Sequence, residues 1–243
     1  CRNPPHSRPL LTAMKILVCL LLCSAATGTQ AQSSCSSDGQ RTPVAVVERF
    51  TSADCESCWS DTTARPAPPR TLVLDWIVPS PRGDEAPLSA AATRDANDRL
   101  AALHRAAPTA SYSNQTPVAK RPYRMRVAHG LPFNGYIGAS MELPQSEARP
   151  VPLPVTGWLV LVETIAAGTE GTPVERNLVR NSLTRTWDGR NQLSKDEQKR
   201  LWESRPMGLG ATARPERLRV VGWVEDAQGR IITAAQSRCA ELP

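Results

Sequence analysis

A short apolar run that leads into a Cys-x-x-Cys motif constrains the fold of this chain more than any other feature. Residues 44–50 (Val-Ala-Val-Val-Glu-Arg-Phe) have apolar positions on both faces, which predicts a buried central strand. Cys55 and Cys58 follow within a few residues, so a redox disulfide would lie on the first turn of a helix. The unpaired N–H groups and the dipole at a helix start stabilise a thiolate.

The beginning of the sequence has a pattern typical of an export signal. Met14 and Lys15 precede an apolar run over residues 16–23, and residues 29–31 (Thr-Gln-Ala) form a small-x-Ala cleavage sequence. The run is too short to span a membrane, which takes ~20 residues. We expect residues 1–31 to be an upstream segment plus a signal peptide that starts at Met14. The mature protein is then secreted, in a bacterial periplasm, without a membrane anchor.

Removal of the signal peptide would leave four of the seven cysteines. In an oxidising compartment, four cysteines allow three pairings. The simplest pairing joins Cys55 to Cys58 and joins Cys35 to Cys239 at the two ends of the mature chain. The second bridge would close a loop of ~200 residues, and we interpret Cys35 and Cys239 as a structural disulfide.

The net charge of +6 gives little evidence for an acidic partner. Arg2, Arg8 and Lys15 lie in the segment that we expect to be removed, which leaves 26 basic and 23 acidic residues. Basic and acidic residues are interleaved through most of the chain, a pattern typical of a solvated surface. We therefore expect no nucleic-acid partner.

The N-terminal half of the mature chain predicts alternating strands and helices. The order is a strand over 44–50, a short helix over 59–70 that prolines limit, a strand over 71–78 and a helix over 88–107. This order implies a right-handed crossover and a parallel pair of strands. It is the layout of the first half of a thioredoxin-like domain, to which we assign residues 42–142.

The C-terminal half has a different character. Four closely spaced prolines predict a semi-rigid linker at residues 143–155. Beyond it, residues 156–239 are mainly strand-like, with a capped short helix predicted over 195–204 and a hairpin over 217–237 that has glycine at its turn. We expect a β-rich region packed on the first domain or following it.

Both ends of the mature chain resemble one family. Residues 46–58 (Val-Val-Glu-Arg-Phe-Thr-Ser-Ala-Asp-Cys-Glu-Ser-Cys) resemble the opening of the secreted thioredoxin-like proteins grouped as domain of unknown function 1223. Residues 187–189 (Trp-Asp-Gly) and the hairpin residues 220–235 resemble the late motifs of the family. The resemblance covers about residues 44–238. It implies an α/β fold class, with a thioredoxin-like domain and a C-terminal, mainly antiparallel β region.

The chain departs from this family at positions that would surround the disulfide. Residues 77–81 (Ile-Val-Pro-Ser-Pro) stand where the family usually has a His-Val-Asp sequence. The resemblance also implies a cis-proline beside the disulfide, and the candidates for it are Pro117 and Pro122. Any specialised activity of the family is therefore not carried over to this chain.

The chemistry predicted at the motif is reversible disulfide exchange, in which Cys55 attacks and Cys58 resolves the mixed disulfide. Asp54 and Glu56 are acidic and oppose a thiolate there, so we expect a weak oxidoreductase. Such a protein would use no prosthetic group, and its partners would be protein thiols or a redox partner protein. The alternative is a non-catalytic binding or interaction module in which the disulfide is only structural.

A soft metal ion held by Cys55, Cys58 and a histidine is a further alternative. His104 and His129 are the histidines of the mature chain, and a lone histidine is more often a surface or structural residue. We therefore predict no metal site. Asp75, near the end of a predicted strand, is interpreted as a strand-edge residue rather than an acid catalyst.

Overall fold

Strands are the main regular elements of the structure, which is a computed structural model. The described residues are 35–63, 67–189, 195, 199–210 and 212–239, so the predicted signal peptide lies outside them. Within these residues, twelve strands form one sheet of seven strands and one sheet of five. The predicted α/β, thioredoxin-like fold class is therefore wrong. The described chain has a mainly β fold.

The α-helices of the described chain are much shorter than the sequence predicts. Helix α1 (Glu56–Trp59) ends after one turn, because the threonines and prolines that follow it disfavour helix. Helix α2 (Arg94–Ala102) occupies the middle of the helix predicted over 88–107, and the alanines before it form a 3-10 turn at Ser89–Ala91. None of the helices that the structure describes could span a membrane.

The seven-stranded sheet combines strands from both halves of the chain. Its members are β2 (Ala45–Ser52), β3 (Thr71–Val78), β4 (Ser111–Pro117), β7 (Val155–Ile165), β8 (Arg176–Trp187), β10 (Leu218–Asp226) and β11 (Ile231–Gln236). The order across the sheet is β11-β10-β7-β8-β3-β2-β4. β2 and β3 are parallel, as the sequence predicts, and β3 also meets β8 in parallel. Strands before and after the proline-rich residues 143–155 therefore share one sheet.

The five-stranded sheet is antiparallel throughout. Its members are β1 (Cys35–Ser36), β5 (Arg126–His129), β6 (Tyr136–Pro144), β9 (Arg200–Gly208) and β12 (Arg238–Cys239), in the order β12-β1-β5-β6-β9. The helix predicted over 195–204 is wrong where the structure describes it. β9 instead pairs with β6 along its whole length and buries Leu201 and Met207, and this pairing overrides a weak helix preference.

The seven-stranded sheet is buried on both faces, which explains the doubly apolar pattern of its strands. One face contains Phe50, Trp76 and Trp223 and packs against α2. The other face contains Leu159 and Leu161 and packs against the five-stranded sheet. Each of these fully buried side chains contributes about 1.5–3 kcal/mol of hydrophobic stabilisation.

Gly157 in β7 allows the two sheets to approach closely. A Cβ atom at this position would lie 2.7 Å from the Trp187 side chain and 2.9 Å from the Met141 side chain. Trp187 belongs to the same sheet as Gly157, and Met141 belongs to the opposite one. A larger residue would therefore force the side chains of Trp187 and Met141 to shift.

Candidate functional site

The Cys55–Cys58 disulfide lies where β2 ends and α1 begins. The two sulfur atoms are 2.04 Å apart, and the two Cα atoms are 5.3 Å apart. Both cysteines are partly exposed, and Glu56 and Ser57 between them are exposed. A partner molecule can therefore reach this disulfide from solvent.

Backbone hydrogen bonds hold the turn that carries the disulfide. The N–H of Ala53 donates to the carbonyl of Val78 at 2.9 Å, and the N–H of Cys55 donates to the carbonyl of Ser52 at 2.9 Å. The N–H of Cys58 donates to the carbonyl of Cys55 at 3.1 Å. The turn is thus tied to the ends of β2 and β3, and its position does not depend on the sulfur–sulfur bond alone.

Trp59 anchors α1 on the seven-stranded sheet. Its side chain is buried with Ile77, Ile165 and Leu178. Its indole N–H donates to the carbonyl of Glu170 at 2.8 Å, so the polar atom of the buried ring is satisfied. Trp59 therefore fixes the C-terminal end of the Cys-x-x-Cys segment against the connection from β7 to β8.

Arg176, the first residue of β8, links the disulfide turn to the sheet beneath it. Its Nη2 donates to the carbonyl of Trp59 at 3.0 Å and to the carbonyl of Cys58 at 3.4 Å. Its guanidinium carbon is 5.1 Å from the centre of the Trp59 ring, within the range of a cation–π interaction. Arg176 therefore contacts both the last cysteine of the motif and the residue that anchors it.

Asp75 in β3 holds this arginine in place. Its carboxylate accepts hydrogen bonds from Arg49 at 2.9 Å, from Arg176 at 3.2 Å and from the backbone N–H of Asn177 at 2.8 Å. Burial lowers the pKa of Arg176; the Asp75 carboxylate opposes this effect and the charge of Arg49 adds to it. The two guanidinium groups and the carboxylate form one cluster under the disulfide turn, and the carboxylate of Asp61 also interacts with Arg176.

The interpretation of Asp75 as a strand-edge residue is wrong, because β3 lies between β2 and β8 and Asp75 is 3% exposed. The sequence did contain one signal: Asp75 is the single charged residue of an apolar strand, and a buried carboxylate needs a cationic partner. The partners Arg49 and Arg176 were missed. Arg176 is 101 residues away in sequence, beyond the reach of any local pattern.

The charges beside the disulfide oppose a reactive thiolate. Asp54 and Glu56 are exposed acidic residues, and Asp54 is 3.6 Å from Arg82 in an exposed ion pair. α1 has four residues, so its dipole stabilises a thiolate weakly. The Oγ of Ser57 is 3.5 Å from the Sγ of Cys55 and can donate a hydrogen bond to a thiolate there. The site can exchange disulfides, but it has few groups that would make the exchange fast.

The two disulfides have the pairing that the sequence predicts as the simplest one. Cys35 in β1 is bonded to Cys239 in β12, 204 residues later in the sequence. Cys35 is buried and Cys239 is exposed. Two disulfides in one chain indicate an oxidising, extracellular compartment.

The two cis-proline candidates, Pro117 and Pro122, are wrong. In the part of the chain that the structure describes, the cis peptide bond is Leu153–Pro154. Pro117 ends β4 in extended backbone and pairs with Ala45, at the end of β2 far from the cysteines. Neither candidate therefore supplies a cis bond beside the disulfide.

One group of side chains with the spacing of metal ligands lies away from the Cys-x-x-Cys motif. Donor atoms of Cys35, Cys239 and His129 lie within 4.8 Å of one another, but the two sulfurs are bonded to each other and are not free thiolates. His104 is exposed just after α2. Across the described ranges, no group of three metal-binding side chains includes either cysteine of the motif.

Comparisons with known proteins do not identify a relative. No protein-family model matches the chain, and no curated protein matches its sequence. The resemblance to domain of unknown function 1223 therefore stays a prediction. The function has to be argued from the site itself.

Proposed function

We propose that the protein is a thiol–disulfide oxidoreductase of low reactivity, secreted into a bacterial periplasm, that acts through Cys55 and Cys58. The observation that carries the proposal is a partly exposed disulfide on a turn whose backbone is held by other contacts. The signal-peptide pattern within residues 14–31 supports export. The two cysteine sulfurs themselves carry the two electrons that a disulfide exchange transfers, so the reaction needs no prosthetic group.

The reaction is an exchange between the dithiol of the reduced protein and a disulfide of the substrate. In the reduced protein, the Cys55 thiolate attacks one sulfur of a substrate disulfide, and the other substrate sulfur leaves as a thiolate. The Cys58 thiolate then attacks Sγ of Cys55, which re-forms the Cys55–Cys58 bond and releases the second substrate sulfur. Two electrons pass to the substrate, whose thiolates take protons from solvent. A redox partner protein with a thiol pair restores the reduced state.

Arg176 and Trp59 support the resolving step. Arg176 donates hydrogen bonds to the carbonyls of Cys58 and Trp59, and the indole N–H of Trp59 donates to the carbonyl of Glu170. None of these contacts involves sulfur. After reduction, Cys58 therefore stays near Cys55 and can attack the mixed disulfide. A cysteine pair held in this way changes its redox state without unfolding the turn.

A static disulfide within a binding module is the second candidate, and the acidic residues Asp54 and Glu56 are the observation that favours it. Both carboxylates disfavour negative charge on a nearby sulfur. The two candidates differ in whether the bond can be reduced under physiological conditions.

Equilibration of the mature protein with glutathione redox buffers tests the proposal. Alkylation of the peptide that contains Cys55 and Cys58, followed by mass spectrometry, gives the reduced fraction. We expect a reduction potential between about −200 and −300 mV, with the circular dichroism spectrum of the folded protein retained. A potential far below about −300 mV, or no alkylation after mild reduction, would favour the static disulfide.

Two serine variants test the roles of the cysteines. Cys58→Ser should accumulate a mixed disulfide with oxidised glutathione, because Cys55 attacks and has no resolving partner. Cys55→Ser is the matched control and should accumulate much less. A mixed disulfide in Cys55→Ser alone would reverse the assigned roles, and none in either variant would contradict the proposed reaction.

A further inference from the structure

A cavity of about 810 Å³ opens at the end of the seven-stranded sheet where β3, β8 and β10 begin. The segments before β2 and β3, the connection from β7 to β8 and the end of β11 complete its walls. None of the residues that line it is a cysteine, so it is distinct from the disulfide turn. The charged residues that line it are Arg41, Arg49, Arg70, Arg219, Arg238 and Glu175.

The positive charge of this cavity is poorly balanced. Five guanidinium groups face a single carboxylate among the lining residues. Arg49 has its own partner, Asp75, in the cluster under the disulfide turn. Over the described ranges of the chain, no ion pair is formed by Arg41, Arg70, Arg219 or Arg238. Four of the five cations of the cavity therefore lack an anionic partner among the described residues.

Arg219 has a buried hydrogen-bond donor without an acceptor in the described part of the chain. Its Nη2 donates to the side-chain oxygen of Asn177, but its Nε is buried and has no hydrogen-bond partner among the described residues. Burial lowers the pKa of Arg219; Glu175 opposes this effect and Arg238 adds to it. A buried N–H without an acceptor costs free energy, and Arg219 is one of the residues that line the cavity.

We propose that this cavity binds a small oxyanion with two or more negative charges, carried by phosphate or carboxylate groups. Guanidinium groups are planar and bind both kinds of group through pairs of parallel hydrogen bonds. The volume is within the range of small-molecule sites, about 300–1,000 Å³. A singly charged ion would leave most of the positive charge unbalanced, so the charge excess selects a multiply charged ligand.

Isothermal titration calorimetry of the full chain with inorganic pyrophosphate and with citrate, at constant ionic strength, tests this site. We expect at least one of them to bind, and the tighter one identifies the phosphate or the carboxylate group. The affinity should fall as salt is added, because salt screens the charges. Cys55→Ser/Cys58→Ser should bind equally well, which separates this site from the proposed disulfide exchange. No binding of either anion at millimolar concentration would overturn the proposal.

Two double variants distinguish binding in the cavity from a general effect of the net charge of the protein. Arg41→Gln/Arg238→Gln removes two exposed cavity charges, and Arg94→Gln/Arg124→Gln removes two exposed charges elsewhere. We expect the cavity variant to bind the anion at least about tenfold more weakly, because the loss of one hydrogen bond to a charged group lowers affinity by about that factor or more. The control should change by less than about twofold. Equal weakening in both variants would overturn the proposal.

Discussion

Arg99 donates two hydrogen bonds to Glu48, at 2.7 Å from Nε and at 2.8 Å from Nη2, and each side chain is 1% exposed. Arg99 also donates to Glu225 at 2.8 Å, and its guanidinium carbon is 4.6 Å and 5.1 Å from the ring centres of Trp158 and Trp223. Burial alone would lower the pKa of Arg99, but the two carboxylates outweigh burial and raise it above its usual value. One cation thus joins α2 to β2, β7 and β10.

We expect Arg99→Met to lower the free energy of unfolding by about 3–5 kcal/mol, because two carboxylates would lose their buried cation. Denaturant unfolding followed by tryptophan fluorescence measures this loss. Arg94→Met, at an exposed position of the same helix, should change the free energy by less than about 0.5 kcal/mol. A loss no larger than that of the control would contradict a stabilising role for the buried network.

Neutralising the acidic partner should recover part of this loss. In Glu48→Gln/Arg99→Met, no unpaired carboxylate remains on β2, so the double variant should be more stable than Arg99→Met alone. Together with Glu48→Gln, the two variants form a double-mutant cycle. Strictly additive losses around this cycle would mean that the two side chains are not coupled.

Arg176→Gln should loosen the disulfide turn locally. The carbonyls of Cys58 and Trp59 would lose their donor, and Asp75 would lose one of its cations. We expect amide hydrogen exchange in residues 55–60 to become faster, while exchange in β10 changes little, because the turn can open without the core. Hydrogen exchange measured by mass spectrometry compares the two regions in one experiment. Equal acceleration in both would indicate global destabilisation instead.

Local patterns in the sequence predict the elements that carry the disulfide. The apolar run at residues 44–50 largely coincides with β2, and its parallel pairing with β3 is confirmed. Gly229 has a positive φ of 73° at the turn between β10 and β11, where the sequence predicts a hairpin. In each case, the information lies within a few neighbouring residues.

The rest of the site depends on contacts between distant parts of the chain. Arg49 meets Asp75 because β2 and β3 lie side by side in register, and Arg176 reaches Asp75 from a strand 101 residues later. In place of the helix predicted over 195–204, the chain forms a strand from residue 200 onward, because β6 offers a pairing partner. Helix propensity is a weak preference that such pairing overrides. No short window of sequence contains these partners.

The two disulfides should contribute very differently to stability. In the chain-entropy account, a bond between residues 204 apart contributes about 5 kcal/mol, and a bond between residues three apart contributes about 2 kcal/mol. We therefore expect Cys35→Ala/Cys239→Ala to lose more stability than Cys55→Ala/Cys58→Ala. Urea unfolding of the two double variants measures the difference. Equal losses would contradict a mainly structural role for the longer bridge.

His129 should make the stability of the protein depend on pH. Its Nδ1 is 3.0 Å from the carbonyl of Gly130, and its Nε2 is buried without a hydrogen-bond partner in the described part of the chain. Burial lowers the pKa of His129 below its usual 6.5, although the Gly130 carbonyl opposes this effect. Below pH 6.5, the unfolded chain therefore takes up a proton that the folded chain does not, and stability decreases as the pH falls.

We expect the free energy of unfolding to fall by up to about 1.4 kcal/mol per pH unit below pH 6.5, until the folded-state pKa of His129 is reached. Urea unfolding at a series of pH values measures this slope. In His129→Gln the contribution should disappear, because glutamine does not titrate. His104→Gln is the matched control and should keep the slope, because it leaves His129 in place. An identical slope in wild type and His129→Gln would show that other groups carry the acid sensitivity.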